Sequence, residues 1–145
     1  MKKLSKEQII DQLEDGIEQL KKLPRFIEIR QKNAELFKSF FVNHPFIDIQ
    51  QETGKSSWFG FSLILKENAP YNRSELVKLL NNHGIECRPI VTGNFLKNEE
   101  VLEYFDYVVS GTLEASEYLD KNGLFVGNHQ NNIEKEIRLL NKVLN

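Results

Sequence analysis

The sequence predicts an α+β fold, in which a small antiparallel or mixed sheet has helices packed on one side and follows a long N-terminal helical segment. The first 43 residues carry helical periodicity, and short strand-like and helical stretches alternate after them. The 145 residues are enough to bury one core. With no internal repeat or linker, residues 1–145 are predicted to form a single domain. Residues 1–43 form its helical lead-in, and residues 44–145 form the small α+β part.

Composition excludes several classes of protein. Nineteen Lys and Arg residues against 21 Asp and Glu leave a net charge of −2, so no basic excess favours nucleic acid or an anionic membrane. No apolar run approaches the roughly 20 residues of a membrane span, and the N-terminus lacks the apolar core of a signal peptide. The single Cys87 cannot form an internal disulfide. A cytoplasmic location is therefore expected.

Two helices are predicted at the N-terminus. Residues 4–22 show an apolar stripe with helical spacing, formed by Ile9, Leu13, Ile17 and Leu20. Ser5 and Gln8 match a capping box at the start of this helix. Pro24 is predicted to interrupt it, because proline lacks the backbone donor, and to open a second helix over residues 24–42.

Two strands are predicted next, at residues 46–50 and 58–65. In the second, WFGFSLIL, strict alternation places one set of side chains on one face, namely Phe59, Phe61, Leu63 and Leu65. The opposite face would carry Trp58, Gly60, Ser62 and Ile64. Gly60 in mid-strand predicts a bulge or the close approach of another backbone or a ligand.

The rest of the chain predicts alternating elements. A helix at residues 73–82 starts with an Asn72–Glu75 capping pair and stops at Gly84. The remaining predictions are a strand at 85–90, a loop at 91–95, short helices at 99–105 and 111–119, a strand at 124–126 and a terminal helix at 133–144.

The residues alone do not define a reaction. The sequence contains no GxxxxGK[ST], GxGxxG, HExxH or CxxC motif, and its three histidines are far apart. No metal site and no catalytic residue are therefore predicted. Cys87, inside a strand, is interpreted as an inert core thiol.

Three segments nevertheless suggest a ligand site, each with a structural alternative. Trp58 and Phe59 could line a pocket or could belong to the core. Arg88 with the loop Thr92-Gly93-Asn94-Phe95 could bind a carboxylate, phosphate or sugar, or could be a surface arginine and a tight turn. Asn128 and His129 could face a ligand at a strand end, or could form an Asx-type turn before the last helix.

The order of four segments resembles a known family. LKKLPRFIEIRQKN, SSWFGFSLIL, RSELVKLLNNHGIECRPIVTGNF and GLFVGNH, followed by a terminal helix, resemble the C-terminal part of DegT-type nucleotide-sugar aminotransferases. The similarity is greatest to their nucleotide-diphospho-4-keto-6-deoxyhexose 3-dehydrase branch. It covers about residues 16–145, whereas residues 1–15 do not fit the family pattern. The resemblance implies the small domain of the aspartate-aminotransferase fold, a fold of vitamin B6 enzymes.

The same resemblance implies a role on the substrate side. The family uses pyridoxal or pyridoxamine phosphate, and its Schiff-base lysine, or the histidine that replaces it, lies in the large domain. This chain alone is therefore expected to bind no cofactor and to be inactive. The residues carried over as substrate-binding are Trp58, Phe59, Arg88, Thr92, Gly93, Asn94, Phe95, Asn128 and His129. The expected partners are a nucleotide sugar and either a second copy or a large domain.

Two alternatives remain from the sequence. The chain could be a stand-alone, non-catalytic module that binds nucleotide sugars or a partner subunit. It could also be a remnant that only folds. An exposed apolar surface on the first helix, where a large domain would pack, would favour a remnant or a partner.

Overall fold

The computed structural model describes residues 5–90 and 93–145. Over these residues the fold is α+β, as predicted, and α3 is preceded by a single 3-10 turn. The elements are α1 (Lys6–Phe41), β1 (Ile47–Asp48), β2 (Gly60–Leu65), α2 (Arg73–Asn82), β3 (Cys87–Pro89), the 3-10 turn (Phe95–Lys97), α3 (Glu99–Leu102), α4 (Glu114–Asn122), β4 (Gly123–Gly127) and α5 (Glu134–Leu144).

The N-terminal segment is one helix of 36 residues rather than two. The prediction that Pro24 interrupts it was wrong. Proline has a φ that suits a helix and removes one hydrogen bond, and Pro24 is exposed, where water can satisfy the freed carbonyl. The predicted capping box is confirmed, since the side chains of Ser5 and Gln8 each bond the other residue's backbone N–H.

The four strands form an antiparallel sheet in the order β1-β2-β4-β3. Phe61 lies opposite Val126, and Cys87 lies opposite the same residue on the other side of β4. Because directly paired residues share a face, these side chains and those two positions along each strand point to one side. That side is the buried one, as the alternating burial of β2 shows.

Helices α1, α2 and α5 cover the buried face. The rings of Phe37 in α1 and Phe61 in β2 stack with their centroids 4.2 Å apart. The core around this pair is completed by aliphatic side chains of the other elements, including Leu76, Leu80, Leu124, Ile137, Leu140 and Leu144. Burial of this apolar surface is the main force holding the sheet against the helices.

The aromatic start of the second predicted strand departs from the alternation. Strand β2 begins at Gly60, not at Trp58, because Trp58 has a φ of +51°. This left-handed residue breaks the alternation, and Trp58 is 3% exposed whereas Phe59 is 72% exposed. The close approach predicted at Gly60 is confirmed, since a Cβ there would lie 3.1 Å from Phe125 Cδ2 and 3.1 Å from the Val126 carbonyl oxygen.

The other boundaries shift by a few residues. Gly84, with φ of +72°, follows the C-cap of α2 as predicted. The helix predicted at 111–119 begins instead at Glu114, because Gly111 has a φ of +75°, which a helix does not accommodate. The strands predicted at 46–50 and 85–90 are shorter than expected. None of the helices in the described ranges is long and apolar enough to cross a membrane.

Candidate functional site

A groove of about 530 Å³ lies between β3, the end of β4 and one side of α5. Most of its wall is apolar, and Phe59, Phe125 and Ile137 are part of it. Arg88 is the cation in its lining, and carboxylates at Glu86 and Glu136 accompany it. An apolar wall with a few polar groups at one end suits a ligand that combines a ring with charged or hydroxyl groups.

Arg88 is part of the groove lining on β3, the edge strand of the sheet. It is paired directly with Phe125 across β3 and β4, so the guanidinium and the aromatic ring project from the same face. Its Nη2 donates to Glu86 Oε1 over 3.0 Å, and both side chains are largely exposed. An exposed pair of this kind contributes little to stability. A ligand anion can therefore replace Glu86 as the partner of Arg88 at small cost.

Phe59 presents its ring to the groove from the turn before β2. The Arg30 guanidinium carbon lies 5.6 Å from the centroid of this ring, a cation–π contact. The Phe59 carbonyl accepts a hydrogen bond from the Asn128 N–H over 3.2 Å. Phe59 therefore contacts α1 through its ring and the end of β4 through its carbonyl.

Asn128 lines the groove, but its side chain is directed into the protein. It is 5% exposed, and its Nδ2 donates to the Trp58 carbonyl over 2.7 Å and to the Arg30 carbonyl over 3.0 Å. Its Oδ1 accepts from Asn33 Nδ2 over 3.0 Å. The carboxamide thus has partners for both donors and for its acceptor within the chain.

Trp58 and His129 lie outside the lining of the groove. The indole of Trp58 is buried, with Lys38 Nζ 5.5 Å from its centroid. His129 is exposed, and its Nδ1 accepts a hydrogen bond from the Asn131 N–H over 3.2 Å.

The Gly93-Asn94-Phe95 segment lies against α4, away from the groove. Asn94 is buried, and its Oδ1 accepts from the Leu96 N–H over 3.1 Å, which caps the 3-10 turn. Gly93 packs on the Asp120 carboxylate, whose pKa is held below its ordinary value mainly by the hydrogen bond from Lys97. Thr92 lies outside the described residues. Among the described candidates, Phe59, Arg88 and Asn128 therefore line the groove, and the lining does not include Trp58, Gly93, Asn94, Phe95 and His129.

Three residues that were not predicted as site residues also belong to this region. Glu86 and Phe125 line the groove, and Asn33 anchors Asn128. The sequence contained an indication of the first two. Glu86 lies two residues before Arg88 in the predicted strand, and Phe125 lies three residues before Asn128. Asn33 was visible as a polar residue on an otherwise apolar helix face.

The part of the chain that the structure describes gives no support for a metal site or for a reactive thiol. It contains no group of three or more potential metal-ligating side chains. Burial, with a further effect of Glu86, raises the pKa of the Cys87 thiol, so the thiolate is disfavoured.

Comparison with known proteins places these features in a family. A sequence profile of the DegT/DnrJ/EryC1/StrS aminotransferases matches residues 15–141. The chain belongs to this family. The match includes every groove residue named above and leaves out only the start of α1 and the last residues of the chain.

Two relatives of this DegT-family chain are dehydratases. The chain is 65% identical over 129 residues to GDP-4-keto-6-deoxy-D-mannose 3-dehydratase of Yersinia pseudotuberculosis, covering 89% of this chain and 33% of the relative. The Escherichia coli O55:H7 protein of the same name is 64% identical over the same length and the same shares of both chains.

Solved structures agree with these relatives. The E. coli dehydratase with bound hydrated pyridoxal phosphate superposes with a TM-score of 0.86 at 63% identity, over 90% of this chain and 33% of that one. A mutant of the same enzyme was solved with bound GDP-perosamine. This DegT-family chain thus spans about a third of the length of the relatives that it matches, and corresponds to their C-terminal part.

Proposed function

We propose that this chain is the substrate-side domain of a vitamin B6-dependent nucleotide-sugar 3-dehydratase of deoxysugar biosynthesis, acting in the cytoplasm. The observation that carries the proposal is the groove, whose lining includes Arg88, Phe59 and Phe125. The 65% identity to a GDP-sugar dehydratase supports the ligand class. The division into a lead-in of residues 1–43 and an α+β part of residues 44–145 belongs to the same proposal.

The groove has groups for each part of a nucleotide sugar. The exposed ring of Phe59 offers an apolar face on which a planar base or a sugar ring can pack. Arg88 offers a planar fork of donors that matches phosphate oxygens or a pair of hydroxyls. Its partner Glu86 can accept hydrogen bonds from ligand N–H or O–H groups once Arg88 has turned to the ligand.

The lining of the groove does not fit the family's cofactor. Pyridoxal phosphate needs a lysine, or in the dehydrase branch a histidine, directed at its reactive carbon, together with donors for its phosphate. No lysine and no histidine line the groove within residues 5–90 and 93–145. We therefore assign cofactor binding to the two thirds of the relatives that this chain does not span, and expect the chain alone to be inactive.

One observation favours a partner for this chain. Apolar side chains along the first half of α1 are exposed, with Leu13 at 62% and Leu20 at 65%. Exposed apolar stripes of this kind are typical of surfaces that another protein element covers. A large domain or a second copy is the partner proposed, and the non-catalytic module that binds nucleotide sugars remains the alternative function.

The ligand is tested by calorimetry on the 145-residue chain with GDP-mannose. Arg88→Gln should weaken binding by about tenfold or more, as expected for loss of a hydrogen bond to a charged group. Because the Arg88–Glu86 pair is exposed, the thermal midpoint should stay within about one degree of the wild type. Arg138→Gln removes another exposed charge, at 58% exposure against 71% for Arg88, from outside the groove lining and serves as the matched control.

The cofactor assignment is tested with pyridoxal phosphate and borohydride. The expected result is no stoichiometric adduct, and a trapped adduct of one cofactor per chain would contradict the assignment. If the wild-type chain fails to bind GDP-mannose at about millimolar concentration, the chain alone has no ligand role, and the partner-binding function is the one that remains.

A further inference from the structure

We propose that Asn33 and Asn128 are positioning residues, whose paired carboxamides hold the turn at Trp58 and Phe59 so that the Phe59 ring faces the groove. The inference rests on the proposed function for the meaning of the groove, but the positioning itself can be measured without a ligand. Neither residue needs to touch the substrate for this role.

Asn128 connects three separate segments through one side chain. Its Nδ2 donates to the carbonyls of Trp58, 70 positions away, and of Arg30, 98 positions away. Its backbone N–H donates to the Phe59 carbonyl over 3.2 Å. The turn before β2 is therefore fixed to the end of β4 at two successive carbonyls, and to α1 through the same amide.

Asn33 fixes the orientation of that amide. Its Nδ2 lies within hydrogen-bond distance of three oxygens: Asn128 Oδ1 at 3.0 Å, and the carbonyls of His129 at 3.1 Å and Asn131 at 2.9 Å. At 5% exposure Asn33 is buried, so an unpaired amide would be costly at this position. The contact with Oδ1 directs the Nδ2 of Asn128 toward the Trp58 and Arg30 carbonyls.

The hydrogen bonds of Asn33 and Asn128 hold a turn that is under backbone strain. Within residues 5–90 and 93–145, Trp58 is the one residue other than glycine with a positive φ, and a bulky residue pays a steric cost there. Such a conformation persists only where surrounding contacts determine it. The Trp58 carbonyl bonded to Asn128 and the Trp58 N–H bonded to Ser56 Oγ over 2.9 Å provide those contacts.

The alternative conformation is the one that the sequence pattern favours. If Trp58 became extended, β2 would start earlier and the indole would point to the face opposite Phe61, since successive strand residues point to opposite sides. Trp58 would then leave the core, and Phe59, the next residue, would lose the fixed position that holds its ring at the groove. Loss of either carboxamide should shift the turn in this direction.

The chain contains one tryptophan, which makes the turn directly observable. In the wild type the buried indole should give blue-shifted fluorescence. Asn128→Ala and Asn33→Ala should each move the emission to longer wavelength under conditions in which circular dichroism shows a folded chain. Since both act through one network, the double variant should shift the emission no further than Asn128→Ala alone.

Leu65→Ala is the control for general loss of stability. Leu65 is 3% exposed and lies at the other end of β2, so its truncation should lower the thermal midpoint and leave the native emission unchanged. If Asn128→Ala does not fold, Asn33→Ser takes its place, because serine keeps a small polar side chain but lacks the amide donors. Unchanged emission in folded variants would overturn the proposal.

Binding of GDP-mannose separates this inference from the function on which it rests. The folded carboxamide variants should bind about tenfold more weakly than wild type, and Leu65→Ala should bind equally well. Equal binding by wild type and Asn128→Ala would overturn the positioning role. No binding by the wild type, with the emission shift still present, would instead overturn the proposed ligand and leave the control of the turn by Asn33 and Asn128 standing.

Discussion

The side chain of Gln50 bonds the backbone around Gly60 as a strand would. Its Nε2 donates to the Gly60 carbonyl over 2.8 Å, and its Oε1 accepts from the Ser62 N–H over 2.5 Å. Strand β1 pairs with β2 over only two residues, Ile47 and Asp48. One side-chain amide thus continues the edge of the sheet toward the groove after the backbone pairing has ended.

Replacing Gln50 by alanine should free both of these backbone groups. We expect a loss of about 1–3 kcal/mol in the free energy of unfolding, because two hydrogen bonds in a partly buried position are lost. Exchange of the Ser62 amide proton should accelerate more than that of Leu63. Gln12→Ala, on the exposed face of α1, is the control and should change neither quantity. Unaltered Ser62 exchange in Gln50→Ala would contradict this role.

The sequence predicted those elements whose signals are local. The capping pairs at Ser5 and Asn72 and the stop at Gly84 depend on contacts within a few residues, and all three are confirmed. Strand length depends on what lies beside the strand. The early end of β1 follows from the Gln50 side chain, and the late start of β2 follows from an amide 70 positions from Trp58, neither of which shows as periodicity.

Part of the candidate site could likewise be predicted from the sequence. Arg88 and Phe59 were selected from their neighbours in sequence and do line one groove. Gly93 and Asn94 were grouped with Arg88 because they follow it closely, but Gly93 packs on Asp120 of α4 and Asn94 caps the 3-10 turn. Only the register of β3 with β4 brings Phe125 beside Arg88, and register was not available from the sequence.

Pro24→Ala should strengthen α1 locally. The substitution restores one helical hydrogen bond and removes a residue that costs about 3 kcal/mol in a helix interior relative to alanine. Because residues 5–25 are exposed, little of this gain should reach the global unfolding transition. The measurement is amide exchange, which should slow in the helical turn on each side of position 24.

Pro70→Ala is the matched control for Pro24→Ala, because it removes an exposed proline outside any helix. It should leave the exchange rates in α1 unchanged. Equal exchange around position 24 in wild type and Pro24→Ala would show that proline does not limit the stability of this part of the helix.

Gly93→Ala and Gly16→Ala should have opposite effects on stability. Gly93 has a φ of +47°, and a Cβ there would overlap Asp120 Oδ1, so alanine should cost about 1–3 kcal/mol. Gly16 lies inside α1, and a Cβ at this position would have no neighbour within 4 Å, so alanine should stabilise the helix by about 0.5–1 kcal/mol. Chemical denaturation measures the first effect, and helicity by circular dichroism measures the second. A neutral Gly93→Ala would mean that the loop can relax away from α4.

His44 should make the stability of the fold depend on pH. Its ring packs against Phe41 with centroids 5.4 Å apart, and its Nδ1 accepts from the Phe46 N–H over 3.3 Å. Burial, followed by the charge of Lys66, lowers the pKa of His44 below its ordinary value of 6.5. The folded protein therefore favours the neutral ring and binds a proton less readily than the unfolded chain does.

The sign of the effect follows from this difference in proton binding. Above pH 6.5, the ordinary pKa, both states hold a neutral His44 and the full stability is present. As the pH falls below that value the unfolded chain takes up a proton first, so stability declines until the pH passes below the lowered pKa of the folded state. Thermal midpoints should accordingly fall between about pH 7 and pH 5. His44→Gln should flatten this slope, whereas His83→Gln at the exposed end of α2 should retain it. If the thermal midpoints of wild type and His44→Gln changed with pH in the same way, other groups would cause the pH dependence. The buried ring of His44 would then be protonated as easily as a free one.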